Sequence, residues 1–158
     1  MIRISSLLFF LGFLQSQNYP DFEVLHFENS HSSSLFLHTM SEQNRFMAII
    51  DSGLDVQWHV RSNHMGLDFK VNQDYLTYYN KIEGSWILAN QMMNEVDTLM
   101  CEGPYVADYH DIQILENGNY LLQAYDSSFV DMSTIIDGGQ SVAWITGILI
   151  VQMFDINH

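Results

Sequence analysis

Positive charge is nearly absent from this chain. Among 158 residues there are 5 Lys or Arg against 19 Asp or Glu, a formal charge of −14. The five are Arg3, Arg45, Arg61, Lys70 and Lys81, so nothing basic follows position 81. Nucleic-acid binding is excluded as a function class, because affinity for a phosphate backbone comes from Lys and Arg replacing counterions. The acidity fits an exported protein kept soluble by its charge. Cysteine occurs once, at Cys101, which rules out an intrachain disulfide. A lone Cys reads as a small buried hydrophobe rather than a reactive thiol. No stretch reaches the run of about 20 apolar residues that a bilayer core requires. The apolar tail Val142 to Val151 is too short, β-branched and interrupted by Gly147. Glycine-rich phosphate loops and a Gly-x-Ser-x-Gly elbow are missing, so NTPase and hydrolase readings have no support. His and Asp spacing matches no zinc or EF-hand pattern, and neither a metal site nor a cofactor is expected.

An export signature opens the chain. Met1-Ile-Arg3 is a short positive segment, Leu7 to Leu14 an apolar core, and Gln15-Ser16-Gln17 a polar stretch suited to cleavage. Residues 1–17 are therefore read as a signal peptide and 18–158 as the mature domain, periplasmic or secreted. The alternative is a buried N-terminal strand.

The mature part reads as all-β. Aromatic residues make up 13% of the chain, enough to build a core. Strands are expected at Leu35–His38, Arg45–Ile50, Leu54–Val60, Leu67–Val71, Tyr75–Tyr79, Ser85–Leu88 and Glu95–Leu99. Asp51-Ser-Gly53 and Asn72-Gln-Asp74 are turns. In Ile112 to Tyr125, Asn117-Gly118 between two apolar runs predicts a type I′ hairpin. A fifth hairpin is expected to begin with Ile148–Phe154.

Two of these hairpins are similar to each other. Leu67 to Tyr78 aligns with Ile112 to Gln123, placing Tyr75 against Tyr120, 45 residues later. Another hairpin lies between the copies, so the repeating unit is four antiparallel strands. A period of about 40–50 residues with four strands is the mark of a β-propeller blade. Asp51-Ser-Gly53 and Asp155-Ile-Asn157 then become matching outer turns, with an insertion at Asp126–Gln140 whose loop is Asp137-Gly-Gly139. The competing architecture is a β-sandwich, which also suits turns every 8–12 residues or so. The mature length holds about three such units, whereas closed propellers have about four to eight, so the chain reads as an N-terminal fragment.

Several blocks resemble the arylsulfotransferase family of exported bacterial proteins. They are Ile49-Ile-Asp-Ser-Gly-Leu-Asp-Val-Gln-Trp58, Val96-Asp-Thr98, Asp108-Tyr-His-Asp-Ile-Gln-Ile-Leu-Glu-Asn-Gly-Asn-Tyr-Leu-Leu122 and Val130-Asp-Met-Ser133. The likeness runs from Arg45 to the C-terminus, and the His-Asp plus Asn-Gly-Asn-Tyr-Leu block is its most specific part. It implies a six-bladed propeller with a central active site, of which about three blades are present. Family members transfer a sulfuryl group from an aryl sulfate ester to a phenol through a covalent histidine, without a nucleotide donor. His110 is the position carried over. The nucleophilic histidine and the sulfate-binding arginine belong to later blades. A non-catalytic exported propeller that binds a ligand or protein partner is the other reading.

His110 stands between Asp108 and Asp111 at the head of a strand. It can shuttle a proton or donate to a sulfate oxygen, with Asp111 beside it at the substrate, or it can simply cap the strand. In the 45-residue register His64 falls near His110 and is expected at the same channel, as a substrate-binding residue. His26, His31 and His38 read as surface residues. Trp86, Trp144, Phe69, Met92 and Met93 are expected to fill space between blades. Tyr78 and Tyr79 either stack on a phenolic ligand or serve the sheet.

Overall fold

The computed structural model describes residues 19–26, 32–39 and 45–155. The proposed signal peptide, His31 and the Ile156–His158 end of the last turn lie outside them. The described chain is all-β, with no α-helix and a single 3-10 turn at Met132–Thr134.

Ten strands form three antiparallel sheets. The first holds β1 (Leu35–His38), β2 (Phe46–Ile50) and β3 (Val56–Arg61). The second holds β4 (Met65–Asn72), β5 (Tyr75–Asn80), β6 (Ser85–Ala89) and β7 (Glu95–Leu99). The third holds β8 (Ile112–Ile114), β9 (Tyr120–Val130) and β10 (Ala143–Phe154). Every ladder joins consecutive strands, so each sheet is a meander. Only the middle sheet carries the expected four strands. The outer two have three each among the described residues.

The sheets stack face to face, and the middle one is buried on both sides. Side chains alternate across a strand, so neighbours in β5 and β6 serve opposite cores. Leu76, Tyr78, Ile87 and Ala89 pack toward the first sheet with Met47 and Phe69. Tyr79, Trp86 and Leu88 pack toward the third sheet with Ile112, Ile114, Tyr120 and Leu122. This explains why β5 and β6 read as near-continuous apolar runs, as strands covered on both faces do. Phe69, Trp86 and Met93 fill space between sheets as expected, but Met92 and Trp144 are exposed. Cys101 packs beside the second core, and burial pushes its thiol pKa up, in line with a hydrophobe's role. His38 is corrected: it is half-buried in β1, and burial together with Arg45 lowers its pKa.

Three expectations about the repeat are revised. The Asn117-Gly118 turn is not type I′, because only Gly118 has positive φ, at 86°. The Gly118 N–H donates to Leu115 O and the Leu115 N–H to Asn119 O, a type I turn followed by a glycine bulge. Five residues separate the Ile114–Tyr120 pair where two separate Asn72–Tyr75, so the strands before the turns do not align at 45 residues. Tyr75 and Tyr120 also meet in the same core, facing each other from opposite sheets. Aligned residues therefore point in opposite directions along the stack.

A firmer recurrence sits in the turn before the last strand of the first and middle sheets. The Asp51 Oδ1 accepts from the N–H groups of Gly53 and Asp55 at 2.9 and 3.0 Å. The Asn90 Oδ1 accepts in the same way from Met92 and Asn94 at 2.9 and 3.1 Å. Leu54 and Met93 occupy the matching positive-φ position, at 69° and 64°. One short polar side chain closes each turn, which is what suits Asn and Asp to it. The β2–β3 and β6–β7 hairpins are thus copies 39 residues apart. The insertion at Asp126–Gln140 is also more than a loop. Residues 126–130 lengthen β9 and pair with 143–148, making a two-stranded ribbon, and Ile148–Phe154 belongs to that same sheet.

One face of the third sheet is covered and the other is open: Leu122 is fully buried, while Val151 is 59% exposed. Leu122→Ala is expected to lower the unfolding free energy by about 2–5 kcal/mol in urea melts. Val151→Ala should stay within about 0.5 kcal/mol of the parent. Equal losses would contradict the one-sided burial.

Candidate functional site

The segment between β7 and β8 delivers His110, and the middle sheet fixes that segment by its backbone. The Tyr79 hydroxyl donates to Ala107 O at 2.6 Å, and the Trp86 indole N–H donates to Asp108 O at 3.0 Å. On the other side the Asp108 N–H donates to Gln123 O at 2.7 Å, tying the segment to β9. Further along, the Asn72 amide donates to Ile112 O and its Oδ1 accepts from the Ile114 N–H. The Gln73 amide donates to Ile114 O. Tyr79 is thus a core residue held by the backbone it supports. Tyr78, whose hydroxyl donates to Glu95 Oε1 at 2.7 Å, belongs to the opposite core. Neither is placed as a platform for a ligand.

His110 pairs with Asp108, and Asp111 looks elsewhere. The imidazole Nδ1 lies 2.5 Å from Asp108 Oδ1. That same oxygen accepts from the His110 backbone N–H at 3.0 Å and from the Gln123 amide at 3.2 Å. The Asp108 side chain is 11% exposed against 58% for His110, so a sheltered carboxylate orients an open ring. Tyr109 stacks on that ring with centroids 4.1 Å apart. With Nδ1–H donating to the carboxylate, Nε2 is left as the acceptor, and it has no hydrogen-bond partner among the described residues. A histidine held this way by a carboxylate is the arrangement that acid–base and nucleophilic catalysis use. A signal for the pairing was present in the sequence. An Asp side chain readily accepts from the N–H two residues on, as Asp108 does from His110, and that bend brings the His110 ring to the same oxygen. Gln123 had no such signal, because only the hairpin brings it back to Asp108.

Asp111 instead accepts from the Lys70 ammonium at 2.6 Å, and Lys70 also meets Asp68 at 2.6 Å. Burial would raise the Asp111 carboxyl pKa, but the Lys70 ammonium overrides it and the pKa is lowered. For Lys70, burial acts downward and the two carboxylates carry it above its usual value. Among the described residues Lys70 is the only cation in this cluster, and it is already neutralised. Asp111, Gln113, Gln123 and Val151 line a cavity of about 140 Å³ on the open face of the third sheet. His64 pairs with Arg45. It lies exposed in the turn between β3 and β4, where its Nδ1 is 3.2 Å from Arg45 Nη1.

The Lys70–Asp111 pair makes a prediction about pH. With its pKa lowered, Asp111 contributes fully above the ordinary carboxylate range, and the contribution is lost as pH falls through the lowered value. Lys70, with its pKa raised, contributes fully below the ordinary lysine value and loses its share at higher pH. Asp111→Asn should flatten the acid limb of a stability–pH profile obtained from urea melts. At neutral pH the loss should be at most about 1 kcal/mol, as befits a half-exposed pair. An unchanged acid limb would count against the pairing.

No family model matches this chain, and no curated protein or solved structure matches it either.

Proposed function

We propose that this chain is part of an exported β-propeller of the arylsulfotransferase type, and that His110 acts in sulfuryl transfer from an aryl sulfate to a phenol. The carrying observation is the Asp108–His110 pair, with Nε2 open to solvent at the head of β8. In this reading the three stacked meanders are successive blades. The sulfuryl group passes from the donor's aryl oxygen to a histidine nitrogen, releasing a phenolate. The acceptor phenol then attacks sulfur and the N–S bond breaks. The Nε2 atom of His110 is suited to take the acceptor's proton, and Asp108 stabilises the imidazolium that results. The sulfate-binding arginine is assigned to a later blade, as the resemblance implies, and Lys70, the cation of this cluster, is already held by Asp68 and Asp111.

A second reading has its own support. The strongly acidic surface and the absence of a free cation in the cluster oppose a sulfate ester, which favours a propeller that binds a ligand or protein without chemistry.

Release of a chromogenic phenol from its sulfate, with phenol as acceptor, separates the two. Under the catalytic reading His110→Ala should lower turnover by about 100-fold or more. Asp108→Asn should lower it too, since the ring loses its orienting carboxylate. Turnover untouched by His110→Ala would remove this histidine from the reaction. Saturable binding of the ester without any turnover would favour the binding reading.

A further inference from the structure

A cavity of about 480 Å³ lies between the first and middle sheets, with His110 not among its lining residues. That volume is within the usual range of small-molecule sites, about 300–1,000 Å³. Its walls come from five elements that the stack brings together. Phe36 stands on β1, Ile49 on β2 and Trp58 on β3. Asp74 and Tyr75 come from the β4–β5 hairpin, and Met92 and Met93 from the β6–β7 turn.

The lining has one sign of charge. Asp74 is the only charged residue on it, and neither Lys nor Arg reaches it. The Asp74 carboxylate makes no hydrogen bond or ion pair with another described residue, so it is available to a ligand. The rest of the wall combines the rings of Phe36 and Trp58 and the thioethers of Met92 and Met93 with aliphatic side chains and the amides of Gln73 and Gln91. Indole and phenol faces attract cations, Trp most strongly, and methionine adapts its shape to whatever body the cation carries. Met92 lines the cavity while 80% exposed, so its thioether is accessible to a ligand from solvent.

We propose that this cavity binds an organic cation, a quaternary ammonium or protonated amine with an aryl or short alkyl body. The cation sits against Trp58, which packs on the core between the first and middle sheets, and Asp74 supplies the counter-charge. An aryl sulfate has the wrong sign for this lining, so the proposal stands apart from the reading of His110.

The test is titration of the chain with benzyltrimethylammonium at about 0.15 M salt, where long-range attraction to a −14 protein is largely screened. Binding is read by calorimetry and by Trp emission. One saturable site is expected, weakened about 5–10-fold by Asp74→Asn. Asp137→Asn removes an equal charge from an exposed loop elsewhere and should leave the affinity unchanged. Benzyl alcohol, the neutral aryl control, should bind at least about tenfold more weakly than the cation. Asp74 is exposed and makes no bond to another described residue, so its variant keeps the fold testable. Three results overturn the proposal: no saturation, equal loss in Asp74→Asn and Asp137→Asn, or a neutral control that binds as well as the cation.

Discussion

The aromatic side chains of the middle sheet hold the segment that carries His110: the Tyr79 hydroxyl and the Trp86 indole donate to the carbonyls of Ala107 and Asp108. Both donors stand on buried strands of the middle sheet, and both acceptors belong to an irregular segment with no ladder of its own there. A buried carbonyl without a donor costs about 1–3 kcal/mol, so the bonds matter most through the penalty they avoid. Each aromatic ring does two jobs. Its body fills the core between the second and third sheets, and its polar tip fixes the backbone from which His110 projects. Placement of the histidine is therefore a by-product of how the two sheets pack.

The stack has a direction. The back of the first sheet is already covered, with Phe46, Ala48 and Ile50 buried and Tyr19 packed against Phe46. The front of the third is open, with Tyr125, Leu149, Val151 and Met153 exposed. The ribbon beyond it carries Phe129 and Trp144 in contact at 4.6 Å, both largely in solvent. Two strands alone are marginal in water, so such a ribbon depends on what it grows from.

Much of this was legible in the residues, and where legibility failed the causes are specific. Strands announced by alternating β-branched and aromatic residues lie where expected to within a residue or two, as at Leu35–His38 and Glu95–Leu99. The repeat was misread because Tyr75 and Tyr120 look alike in sequence while their turns differ by three residues. The true copies, Asp51 to Asp55 and Asn90 to Asn94, share only a capping side chain and a strained fourth residue, and share little sequence. At the site, His110 is conspicuous between Asp108 and Asp111, and the turn that bonds its N–H to Asp108 decides which of the two carboxylates it meets. The lining of the large cavity comes from five separated segments, which no local pattern gathers.

The meander connectivity has a consequence for how the molecule comes to be folded. Each strand pairs only with its immediate neighbours in sequence, so loop closure within a sheet is short and a sheet can form as soon as its last strand is available. The two-sided core of the middle sheet cannot close until both flanking sheets have arrived. Pairing is thus early and local, whereas stacking is late. Cooperativity in this chain then resides in the contacts between sheets, with Trp86 and Tyr78 on opposite sides of the last step.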